Sequence, residues 1–165
     1  MGSTSTVHAD DEAAAFHFEP LTQADAEAVA DWRYPEPYSF YDWTADPDDL
    51  RELLEPARRG EAYWSVRDDA DELVGYFDFK PKEEGTLEIG LGLRPDLTGR
   101  GMGASFLAAG LEFARARFAP ERFTLAVATF NERAITVYER AGFARGRVYM
   151  HWTNGAEWEF IEMTL

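Results

Sequence analysis

The stretch from Leu87 to Ala114 constrains this chain more than any other. An apolar run holding a single acid, Glu88, leads through Arg94-Pro95-Asp96 to glycines at alternate positions, Gly99, Gly101 and Gly103. A helical pattern follows, ending near Phe118. Strand, glycine-rich loop and helix N-terminus, in that order, make a place to put phosphate. Glycine lets the backbone approach an anion closely, and the first helical turn leaves N–H groups unpaired and facing it. Arg100 adds a fixed positive charge inside the loop. The spacing is not that of the dinucleotide fingerprint, and the Gly-Lys-Ser/Thr of a nucleoside-triphosphate loop is missing. Taken alone, the loop is also compatible with a plain turn.

Some thirty residues further on stands Asn131-Glu-Arg-Ala134-Ile-Thr-Val-Tyr138-Glu-Arg-Ala-Gly142-Phe143. Together the two stretches resemble the GNAT superfamily of acyl-CoA N-acyltransferases. The loop motif of that family is Gln/Arg-x-x-Gly-x-Gly/Ala, and Gly101 and Gly103 fill its two glycine positions. Thr98 stands where Gln or Arg is usual, with Arg100 two residues later to supply a cationic contact. The second motif, Asn-x-x-Ala-x-x-x-Tyr-x-x-x-Gly-Phe, matches at Asn131, Ala134, Tyr138, Gly142 and Phe143. The resemblance covers the chain from about Phe16 to its end.

With three histidines and no cysteine, no cluster has metal-ligand spacing, so no metal is expected. The resemblance implies acetyl-CoA as acyl donor. Its pyrophosphate is expected on the backbone of Gly99, Arg100, Gly101, Met102, Gly103 and Ala104. Leu91, Gly92 and Leu93 are expected to pair with the pantetheine arm like an added strand, and Asn131 to bond it, cap its own helix, or both. The family also places the general acid for the leaving thiolate at Tyr138, whose alternative is core packing. It puts the oxyanion donor at the N–H of Leu91. The strands Leu87–Leu93 and Arg122–Thr129 should splay to admit the pantetheine.

The base is read from the residues themselves. Glu88 is the acid in an otherwise apolar strand, and burial on both faces would raise its pKa. Many members of the family carry Glu there; a structural ion pair is the competing reading. Asp78, in the neighbouring strand, is the next candidate, and His151 a third. The segment Trp32 to Trp43 is too aromatic for a solvent loop and carries two prolines that forbid a regular helix. Trp32, Tyr34, Tyr38 and Tyr41, with Asp78 and His151, are candidates to wall an amine site. Core capping or a dimer contact would explain the same aromatics.

Turn signals and periodicity divide the remainder. A strand at Phe16–Leu21 is followed by a helix from Gln23 to Trp32, capped by Thr22, and another from Pro47 to about Arg59. Strands follow at 62–67, 73–80 and 86–93, then the helix to Phe118. A strand at 122–129, a helix from Asn131 to Arg140, and a hairpin turning at Asn154-Gly155 complete the chain. The order β-α-α-β-β-β-α-β-α-β-β predicts an α/β (α+β) domain, a mixed, mostly antiparallel sheet with helices on both faces. Residues 1–15 read as a disordered leader, and residues 16–165 as one domain.

Composition narrows the partners. A net charge of −15, with only two lysines among sixteen basic residues, disfavours nucleic acid. The absence of a long apolar run or a secretory pattern argues against a membrane and for the cytoplasm. With no cysteine there is no thiolate metal site and no Cys-based acyl intermediate. The expected partner is a small-molecule or peptide amine, and edge strands in the last hairpin leave room for a homodimer. Two further readings are an acyl-CoA sensor without turnover and a protein-interaction module.

Overall fold

The computed structural model describes residues 15–165. The leader expected at 1–15 lies, but for its last residue, outside the described residues. Seven strands form one sheet in the order β1-β2-β3-β4-β5-β7-β6. They are β1 (His17–Pro20), β2 (Tyr63–Arg67), β3 (Leu73–Pro81), β4 (Thr86–Leu93), β5 (Arg122–Ala128), β6 (Ala144–Thr153) and β7 (Ala156–Thr164). The helices are α1 (Gln23–Ala30), α2 (Pro47–Leu54), α3 (Pro56–Arg59), α4 (Gly103–Phe118) and α5 (Glu132–Arg140).

All pairings are antiparallel except β4 with β5. That parallel pair holds only where Thr86–Glu88 faces Arg122–Thr124. Beyond it the strands part, as the resemblance implied, leaving a gap in the middle of the sheet.

Alternation along the strands divides the side chains between two layers. Trp64, Val66, Phe77, Phe79 and Ile89 pack with Phe106, Leu107 and Leu111 of α4 and Ile135 of α5. The opposite face carries Tyr63 and Tyr76 against Val29 of α1 and Leu53 of α2. The second layer is pinned by polar contacts. Ser65 donates to Asp25 at 2.7 Å, and Arg67 grips both Asp25 oxygens at 2.8 Å.

Three boundaries differ from the sequence reading. Helix α1 stops at Ala30, two residues before Trp32. The helix expected from Pro47 to Arg59 breaks at Glu55, because Pro56 cannot continue it and instead opens α3 at its first position. The aromatic segment folds as two short 3₁₀ turns, Tyr38–Tyr41 and Trp43–Ala45. The last hairpin turns as expected, with Asn154 and Gly155 at φ 52° and 74°. No helix among the described residues is long and apolar enough to cross a membrane. Strand β6 is a sheet edge, with Val148, Met150 and Trp152 exposed along one face.

Candidate active site

The gap between β4 and β5 opens into a cleft of about 550 Å³. One wall is β4. In an antiparallel pair, hydrogen bonding to the neighbour alternates along the strand. Arg94 N–H donates to Val74 O across β3 at 2.8 Å. Counting back by twos assigns Gly92 and Gly90 to β3 and turns the peptide groups of Leu91 and Leu93 toward the gap. The Tyr34 hydroxyl already donates to Leu93 O at 2.8 Å.

The glycine loop closes one end. Gly99 and Gly101 have φ of 73° and 77°, which only glycine adopts without strain. Helices α1, α2 and α5 are each capped by a side chain, from Thr22, Asp46 and Asn131. Helix α4 has no side-chain cap, so its first N–H groups stay available to an anion. Gly99, Gly101 and Gly103 line the cleft. Arg100 and Ala104 are exposed and Met102 partly so, and none of the three lines it. The cation facing the loop is Arg133, which sequence reasoning missed. Its guanidinium lies 4.1 Å from the centre of the Tyr38 ring and beside Gly99.

Asn131 is buried and lines the cleft, while its Oδ1 accepts Ala134 N–H at 3.1 Å. The cap is therefore in place, and the side-chain NH₂ remains for a ligand. Tyr138 also lines the cleft. Burial, and then the neighbouring Tyr41, push its hydroxyl pKa above the usual phenol range, so it is a proton donor at neutral pH.

The structure places the two acids differently from the sequence reading. Asp78 stands opposite Gly90, and Lys80 opposite Glu88, so all four residues share one face. The burial expected of Glu88 is not found there. Its side chain is 37% exposed, sits 3.6 Å from Lys82 Nζ, and does not line the cleft. Asp78 does line it, and burial pushes its carboxyl up to about 6. Lys80 and Lys82 pull that value down, while Glu52 and Glu88 push it up.

Two further glycines make this arrangement fit. A Cβ on Gly90 would collide with Asp78 Oδ2, and one on Gly92 with the Tyr76 ring. Each removes a side chain from β4 so that its partner on β3 can lie across the strand into the cleft. Gly90→Ala is therefore expected to swing Asp78 out and to cost about 1–3 kcal/mol through overpacking. Chemical denaturation and turnover on the same preparation would check both parts. Unchanged turnover would mean that the Asp78 position is not needed.

Of the expected acceptor residues, Tyr34, Tyr38 and Tyr41 line the cleft with Asp78. His151 lines a smaller neighbouring chamber. Trp32 does not reach either space. Its ring packs 6.3 Å from Tyr76, which lines both spaces. Trp64 is buried on the other face against Phe113.

A family model for the acetyltransferase (GNAT) domain matches residues 16–144. Mycothiol acetyltransferase from Geodermatophilus obscurus is 35% identical over 120 residues, covering 67% of this chain and 37% of that protein. Its counterpart from Salinispora tropica is 34% identical over 110 residues, covering 60% of this chain and 36% of that protein. The chain thus spans little more than a third of the length of these curated relatives. Among solved structures, the Vibrio cholerae spermidine N-acetyltransferase in complex with CoA and spermine matches with a TM-score of 0.73 at 19% identity, covering 91% of this chain and 94% of that one. A GNAT-family acetyltransferase from Bacillus anthracis matches at 0.70 and 18% identity, covering 92% and 95%.

Proposed function

We propose that this chain, which belongs to the GNAT acetyltransferase family, transfers the acetyl group of acetyl-CoA to a small-molecule primary amine by direct attack in a ternary complex. The observation that carries the reading is the gap between β4 and β5. It joins an uncapped helix N-terminus to two outward-facing peptide groups, with Asp78 and Tyr138 both lining the same space.

The loop N–H groups and Arg133 hold the pyrophosphate. The peptide groups of Leu91 and Leu93 take the pantetheine amides as an added strand, and the Asn131 amide bonds the same arm. Asp78, rather than Glu88, is the base: near pH 7 most of its carboxyl is ionised and ready to accept a proton from the amine. The amine nitrogen attacks the thioester carbon, and Leu91 N–H stabilises the oxyanion. As the C–S bond breaks, the Tyr138 hydroxyl donates a hydrogen bond to the leaving sulfur, and the proton that Asp78 took from the amine returns to solvent as the thiolate is protonated. The products are the acetamide and free CoA thiol. The relatives and structural neighbours, acetyltransferases of mycothiol and of spermidine, support a small-molecule acceptor.

Thiol release from acetyl-CoA across a panel of amines tests the reading. Turnover on at least one amine, together with an acetyl-CoA-dependent rise in Tm, is expected. Acetyl-CoA binding without turnover on any amine would favour the sensor reading. No binding at all would overturn the assignment of the glycine loop.

A further inference from the structure

Beside the cleft lies a second chamber of about 230 Å³. Tyr41, Asp49 and Tyr76 line both spaces, so the two adjoin across these side chains. The second chamber is walled by Phe40, Trp43 and Phe160, and aromatic faces of this kind attract cations.

The acids around it are not equivalent. Asp42 Oδ1 accepts Tyr34 N–H at 2.9 Å. Asp46 accepts from Asp48 and Asp49 N–H on one oxygen, and from Thr153 and Asn154 on the other. Asp49 gives its own N–H to Asp46, yet its carboxylate has no hydrogen bond or ion pair among the described residues. Partial burial, then Asp46 and Glu52, raise its pKa, with His151 and Lys80 opposing. The balance is an excess of negative potential, which a bound cation would relieve. The Tyr41 hydroxyl is buried and lies near Asn131 and the Ala128 backbone.

Resting on the acetyltransferase reading above, we propose that the acceptor is a small diamine. One amine is presented to Asp78 for acetylation, and the second, kept as an ammonium, sits in the side chamber against Asp49 and the aromatic walls. Among the described residues no arginine or lysine lines this chamber, and beside His151 its ionisable carboxylates are Asp42 and Asp49, a lining that suits an ammonium better than a carboxylate or phosphate.

The test compares initial rates with acetyl-CoA on ethylenediamine, putrescine and cadaverine against ethylamine, butylamine and pentylamine. At the best length, kcat/KM for the diamine should exceed that of its matched monoamine by about 10- to 100-fold, the worth of one charged hydrogen bond. In Asp49→Asn that ratio should fall toward one, mainly through KM. Asp49→Glu, which keeps the charge, should retain most of it. Thermal melts of both variants establish that they fold. A ratio near one in the wild type, or one that survives Asp49→Asn, overturns the proposal while leaving amine acetylation standing. No turnover on any amine, with no acetyl-CoA-induced rise in Tm, overturns the parent reading as well.

Discussion

Asp78→Asn is expected to lower kcat for amine acetylation by about 10²- to 10⁴-fold, the usual worth of a positioned general base. Acetyl-CoA binding should persist, because the loop and β4 peptide groups are untouched. In the wild type, kcat/KM should rise with pH through a limb near 6, where the Asp78 carboxyl ionises, and the variant should lack that limb. The same substitution has an opposite effect on stability. The folded pKa of Asp78 lies above the ordinary value of 3.8, so the folded chain binds this proton more tightly than the unfolded chain does. Stability therefore falls as pH rises from 3.8 to about 6, and above that the whole penalty is present. Asn carries no charge to bury. Its variant should be more stable than the wild type at neutral pH by roughly 1–3 kcal/mol, a difference that closes below the lower of those two values. Denaturant melts at neutral and acid pH measure this directly. A variant that kept its turnover and its acid limb would remove Asp78 from the mechanism.

The burial expected of Glu88 and found instead at Asp78 shows where the sequence could be read and where it could not. The strand order, the uncapped glycine loop and the two motifs follow from local signals: period, glycine spacing and cap residues. Those signals located β4, α4 and α5 within a residue or two. Which acid is desolvated depends instead on register. Asp78 and Glu88 lie on paired strands and on the same face, but one sits at the open gap and the other at the closed end beside Lys82. A signal for this was present. Gly90 and Gly92, at alternate positions of an otherwise apolar strand, empty one face of it, as happens where another group must approach closely. Reading them as space would have pointed to the residues opposite, Asp78 and Tyr76. Trp32, just past the end of α1, packs against Tyr76 beside the cleft rather than in its lining. Arg133 and Asp49 carry no local signal at all, since an arginine or aspartate on a helix surface is the commonest of residues. Only the folding of α5 against the loop and of α2 against the sheet gives them something to face.

Tyr138→Phe removes one oxygen from the cleft and should lower kcat by about 10²-fold with little change in KM. The ring remains, packed 6.0 Å from Phe143, so stability should change by less than about 1 kcal/mol. The raised pKa of the phenol fixes what it can do. A thiol ionises near 8.5, so full transfer from a weaker acid is uphill, and the hydroxyl helps most by hydrogen-bonding sulfur as negative charge builds on it in the transition state. Such help matters less when the leaving thiolate is intrinsically more stable. Comparison of acetyl-CoA with an aryl thioester such as S-phenyl thioacetate therefore separates chemistry from packing. If Tyr138 stabilises the leaving sulfur, the deficit of the variant should shrink on the aryl donor. A purely structural role would depress both donors by the same factor, and that result would assign Tyr138 to the core instead.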